Sequence, residues 1–168
     1  MNTTKTLSFS SSKTYILAAA FVIGNILLPQ LAHQIPQGGL TWLPIYFFTL
    51  LGSCLYGWRV GLLTALLSPA VNSLLFGMPA VDMVGVITVK SALIAVAAGI
   101  LNLGHSRATL LKIMAIVLGY QCVGTLAEWA ILGDFTAATQ DFRIGLPGIA
   151  AQIAGVWAII ALSRRFKK

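Results

Sequence analysis

The stretch MVGVITVKSALIAVAAGIL, residues 83–101, is apolar from end to end except for Lys90 and small hydroxyl side chains. At 1.5 Å per residue a helix of this length covers roughly 28 Å, close to the ~30 Å of bilayer hydrocarbon. An ammonium at that depth costs a few kcal/mol even on lenient insertion scales, so Lys90 must be answered by a partner or a ligand. The rest of the chain has the same character. Its 168 residues are 58% apolar and 9% charged, against about 25% charge in a soluble domain. The chain therefore reads as an integral membrane protein with one domain. The net charge of +7 does not point to nucleic acid, because the basic residues sit in short segments between apolar runs and at the two ends. Cys54 and Cys122 both fall inside apolar runs far apart in sequence and read as small buried side chains.

Six apolar segments follow one another at 14–32, 42–57, 60–76, 82–103, 109–132 and 146–163. The second and third are short for spanning helices, and Pro44 and Pro69 are expected to bend or end them. Turn residues separate the segments, and the longest connection, GDFTAATQDFRIGLPG (133–148), joins the last two. The first segment has the basic flank of a signal peptide, but it is too long and lacks a small-residue cleavage site, so it reads as a retained helix. With the N-terminus inside, the inner segments carry Lys5, Lys13, Arg59, Arg107, Lys112, Arg164, Arg165, Lys167 and Lys168, and the outer loops carry Arg143 alone. Basic residues favour the cytoplasmic side. The expected fold is thus an all-α membrane protein of six transmembrane helices with both termini cytoplasmic. Residues 1–13 and 164–168 are tails, and 14–163 form the membrane domain.

In this topology the polar intramembrane residues gather in the outer half: Asn25, Tyr46, Asn72, Lys90, Glu128 and Gln152, with Gln121 at mid-depth. The inner half is Leu, Ile, Val, Ala and Gly. A continuous channel or a self-sufficient carrier needs polar lining on both sides of the midplane. The pattern fits either one pocket open to the outside or a set of interhelical ties. Lys90 and Glu128 can tie helices four and five together and still contact a ligand. Asn72 and Gln152 are equally readable as hydrogen-bonded ties or pocket residues, and Gln121 as structural. Trp42, Trp58 and Trp129 sit where aromatic belts place tryptophan. Trp42 and Trp129, on the outer side, are also placed to cover a bound ring. Asp82 reads as a helix cap.

An enzyme is not expected. His33 and His105 lie on opposite faces, no serine has a His and carboxylate partner, and no metal-ligand set is present. There is no glycine-rich phosphate loop, so any ATP is used by a partner and this chain needs no cofactor of its own. In YILAAAFVIGN (15–25), Ala20 and Gly24 are small residues four apart, a spacing that permits close helix contact in lipid. They serve internal packing or the docking of another membrane protein.

The block LPIYFFTLLGSCLYGWRVGLLTALLSPAVNSLLFGMPA (43–80) resembles the second and third helices of the substrate-binding S components of energy-coupling factor (ECF) transporters. The shared pattern is Leu-Pro, an apolar helix, a glycine-bounded basic turn, Ser-Pro and a closing Gly-Met-Pro. Six helices, basic cytoplasmic ends and an alanine-rich first helix extend the resemblance over essentially the whole chain. The chain departs from the family's small-residue motif on the first helix, usually alanines four apart, which appears here only as Ala20 and Gly24. The resemblance implies a prokaryotic cell-membrane protein that takes up a vitamin or vitamin precursor. It implies a transmembrane coupling subunit and two cytoplasmic ATPases as partners, and toppling of the subunit to release its cargo. It places the site among helices four to six, at Lys90, Glu128, Trp129 and Gln152, with Trp42 and Tyr46 beneath a cap formed by AHQIPQGGLTW (32–42). Lys90 is then expected to meet an anionic or strongly accepting group, with Glu128 balancing its charge. A carboxylate-bearing vitamin is preferred, and a neutral pyrimidine or pterin stays open. Alanine at Lys90 or Glu128 is expected to weaken binding and spare the fold. The contrasting expectation is a six-helix scaffold whose polar residues are all ties.

Overall fold

The computed structural model describes residues 6–101 and 109–165. Lys5, His105, Arg107, Lys167, Lys168 and the last two positions of the fourth apolar segment lie outside the described residues. The elements are α1 (Ser12–Ala32), α2 (Gly38–Trp42), a 3-10 turn (Pro44–Tyr46), α3 (Phe47–Tyr56), α4 (Trp58–Phe76), α5 (Val81–Leu101), α6 (Thr109–Leu132), the short α7 (Phe135–Ala138) and α8 (Gln140–Arg143), and α9 (Leu146–Arg165). No strand occurs among the described residues. Five helices among the described residues, α1, α4, α5, α6 and α9, are long and apolar enough to cross a membrane. A helix satisfies its own backbone, which is why apolar runs without water adopt it. Large apolar side chains such as Leu74, Val81 and Ile100 point outward, 77–85% exposed, as a bilayer but not water would accept. The chain is a multi-pass membrane protein.

The expected second span differs. The apolar piece Pro44–Tyr56 is shorter than the other five and covers only about 20 Å. It is shortened because the chain enters the bundle before helix α3 begins. Leu43 is buried and left-handed (φ 47°, ψ 47°), a conformation that costs a side-chain-bearing residue of order 1–3 kcal/mol. That break turns the chain from α2 into the 3-10 turn. Irregular backbone at membrane depth is tolerated where protein buries it, and here α9 does so: a Cβ on Gly148 would lie 2.5 Å from the carbonyl carbon of Trp42. Pro69 does not end its helix; α4 continues to Phe76, where Gly77 (φ 67°) closes it.

One polar cluster locks α1 to α3 and α4. Pro29 has no N–H to give the carbonyl of Asn25 four residues earlier. Asn72 supplies the missing donor, its Nδ2 lying 2.9 Å from Asn25 O and 2.9 Å from Ser68 O. Asn25 Nδ2 donates to Thr49 Oγ1 and Ser68 Oγ, and its Oδ1 accepts from Phe48 N in the first turn of α3. Asn72→Leu removes the two bonds donated by Asn72 Nδ2 and orphans the Asn25 carbonyl, so the unfolding free energy in detergent should fall by about 1–3 kcal/mol. A variant that melts with the parent would remove Asn72 from the frame.

The opposite end of these helices is closed by the chain ahead of α1. Leu7 N donates to Tyr56 O, and the Arg59 guanidinium lies over the rings of both Phe9 and Trp58, which meet edge-on. Trp58 in turn packs on Gly99 near the end of α5. The start of α1, the end of α3, the start of α4 and the end of α5 therefore share one face. On the other side, α5 packs between α4 and α6, and α9 lies against α6, α3 and α2.

Candidate functional site

Lys90 lies ten residues into α5 and is 2% exposed. Its stem runs across Gly124 of α6, where a Cβ would come within 2.8 Å of Lys90 Cγ. Glycine there lets the lysine pass and carry its ammonium one turn on, to Glu128. Glu128 sits near the end of α6, 6% exposed, and its carboxylate is ion-paired with Lys90 Nζ. A second carboxylate completes the cluster: Lys90 Nζ donates to Asp141 Oδ2 at 2.8 Å. Asp141 belongs to α8, in the connection that reads from sequence as an outer loop. That connection does not project away from the bundle. Asp134 caps α7 by accepting from the N–H groups of Thr136 and Ala137, and the following turn brings Asp141 back over the helix ends.

A cavity of about 270 Å³ lies beside this triad. Lys90, Glu128 and Asp141 contribute its charged wall, and Tyr46, Ile87 and Leu132 are among the apolar and aromatic side chains facing them. Two connections cover it: Gly39 and Leu40 from α2, and Ala137 and Gln140 from α7 and α8. The expected cap, residues 32–42, thus supplies part of the cover, and the connection between α6 and α9 supplies the rest. The volume is just below the 300–1,000 Å³ of drug-sized sites, which suits a small metabolite.

Behind the cavity wall, Tyr120 Oη donates to Gln152 Oε1 at 2.8 Å, and Gln152 Nε2 reaches the carbonyl of Leu43 at 3.4 Å. The rings of Tyr46 and Tyr120 lie 5.5 Å apart. Gln152 accordingly holds Leu43 and Tyr120 in place and does not line the cavity itself. Lys90, Glu128 and Tyr46 come together as the sequence leads one to expect. The other expected residues lie elsewhere. Asn72 belongs to the Asn25 cluster. Trp129 is 46% exposed and meets Phe135 edge-on at 5.5 Å. Trp42 is 44% exposed and lines a separate apolar groove of about 420 Å³ with Leu31, Phe47 and Ala151. Gly24 packs inward, where a Cβ would lie 2.8 Å from the Phe48 ring, while Ala20 is exposed. Gln121 is fully buried, and among the described residues neither end of its amide has a hydrogen-bond partner.

The residue that sequence reasoning left out of the site is Asp141. Its one usable signal was arithmetic: a buried lysine beside a single glutamate, with another acid on a connection long enough to fold back. No protein-family model, no curated protein and no solved structure matches this chain.

Proposed function

We propose that this chain is the solute-capture subunit of an ECF-type importer in a prokaryotic cell membrane, binding a small water-soluble vitamin or precursor from the outer face. The observation that carries this reading is the enclosed charged wall: three ionisable side chains, held almost completely out of solvent, line a metabolite-sized cavity. Ionisable groups at membrane depth are expensive, and a ligand site is their usual reason. In this reading the broken piece 38–56 counts as a crossing, which gives six and returns both termini to the cytoplasm. Support for that count comes from the shared face formed by Leu7, Tyr56, Trp58 and Gly99. Lys13 and Arg59 lie at the same end, on the side where basic residues are favoured. The cargo leaves through a transmembrane coupling subunit driven by two cytoplasmic ATPases, with the exposed side of α1 around Ala20 as the docking face.

The scaffold reading draws on the Asn25 cluster, which is a set of ties and nothing more. Native mass spectrometry of the detergent-purified chain, followed by a thermal-shift screen of water-soluble vitamins and precursors, separates the two. Capture predicts one bound small molecule, or one clear stabiliser. At a hundredfold excess over Kd such a ligand contributes about 2.7 kcal/mol, read as a rise of several degrees in Tm. No adduct and no shift across the panel would sink the capture reading and leave the scaffold.

A further inference from the structure

The charge of the cavity is unbalanced. One ammonium, Lys90, faces two carboxylates, Glu128 and Asp141, and among the described residues no other charged side chain lines the wall. With all three ionised the wall carries a formal charge of −1. Arg143, two residues after Asp141, is exposed and stands outside it. The imbalance extends to the mouth. The chain as a whole carries +7 and has only four acidic residues, yet all four sit at this end. Asp82 precedes the wall residue Met83, and Asp134 caps α7, whose Ala137 is also in the wall. A basic protein that gathers every carboxylate around one small cavity presents a local field that draws cations and repels anions.

Resting on the capture reading, we infer that the solute is a small organic cation, a protonated amine or a cationic heterocycle, whose positive charge balances the carboxylate that Lys90 leaves over. This reverses the expectation of an anionic solute. An incoming carboxylate would find the ammonium already flanked on two sides by Glu128 and Asp141, and would bring a third negative charge into a nearly dry site. A cation instead completes two positive charges against two negative. Its apolar part meets Tyr46, Ile87 and Leu132 in the cavity wall.

Three probes of one shape and different charge test this on the full chain in detergent: benzylamine, benzyl alcohol and benzoate, followed by ligand-observed NMR and thermal shift. Benzylamine, protonated at neutral pH, should bind at least about tenfold more tightly than benzyl alcohol, about 1.4 kcal/mol, and benzoate should not bind. Asp141→Asn removes the surplus charge and leaves Lys90 paired with Glu128. In that variant the preference for benzylamine over benzyl alcohol should shrink to within about threefold. The order of the three probes on the parent chain stands as a test even if the variant does not fold. Benzoate as the tightest probe overturns the inference and leaves capture standing. Equal binding of benzylamine and benzyl alcohol overturns it too, because a proton would then already balance the wall. If none of the three binds, the inference falls, and capture is judged separately by the molecule found in native mass spectrometry.

Discussion

Lys90→Met should lower the stability of the detergent-solubilised chain by about 3–5 kcal/mol, the range for breaking a buried ion pair from one side. Against a total of about 5–15 kcal/mol for a typical folded protein, that loss is enough to reduce the yield of folded material sharply. The size follows from what remains. Methionine replaces the stem over Gly124 well, so packing contributes little. Glu128 and Asp141, however, are left facing each other out of solvent with no cation between them. The conservative control is therefore the triple variant Lys90→Met, Glu128→Gln, Asp141→Asn. Replacing a whole buried ionic cluster is often neutral or stabilising, so the triple variant should recover most of the lost stability while binding no cation. If Lys90→Met alone melts with the parent, the two carboxylates do not depend on this lysine, and the cluster is wrongly drawn.

Gly148→Ala should cost about 3 kcal/mol, the upper end of the range for overpacking, although it adds one methyl group. The new Cβ would lie 2.5 Å from the carbonyl carbon of Trp42, 2.6 Å from its oxygen and 2.9 Å from Thr41 O. These are main-chain atoms, and no rotamer change relieves the overlap. Residues 41–43 must move off α9, which stretches the Gln152–Leu43 contact and shifts Leu43 and Leu40 in the cavity wall. Weaker solute binding should accompany the lost stability. Gly119→Ala is the matched control. It sits in α6 with nothing within 4 Å of its added Cβ, and alanine in place of a helical glycine should be neutral or stabilise by up to about 1 kcal/mol. Equal melting temperatures for the two variants would show that α9 and the Trp42 backbone are not in contact.

Hydropathy and charge were enough to read the helical membrane class and the long spans, and to single out Lys90 and Glu128 as a tie, a ligand contact or both. Depth along an apolar helix follows from counting residues, and a lysine in hydrocarbon must be answered by a partner or a ligand. What counting cannot supply is direction around the helix axis. Asn72 and Lys90 both read as outer-half residues, yet one faces Asn25 and the other the cavity, because helices apolar on all sides carry no sign of which side meets which neighbour. Connections hide more. Asp141 reads as solvated because polar loop residues usually are; only the folded α7–α8 turn brings it to Lys90. Its presence also reverses the expectation that the fold tolerates loss of the lysine. The shortness of Pro44–Tyr56 was visible in the sequence. Its cause was not, since the left-handed turn at Leu43 depends on a partner in α9.

That partner has a consequence for how the chain is made. Leu43 and Gln152 are separated by 109 positions, so the carbonyl at the bend leaves the ribosome long before the amide that donates to it. Until α9 is synthesised, the irregular backbone of residues 41–43 lacks the helix that packs against it, and hydrocarbon cannot hold it unaided. The second piece of the chain to emerge is thus among the last to settle. The cavity wall that includes Leu43 and Tyr46 is completed only when the final helix arrives.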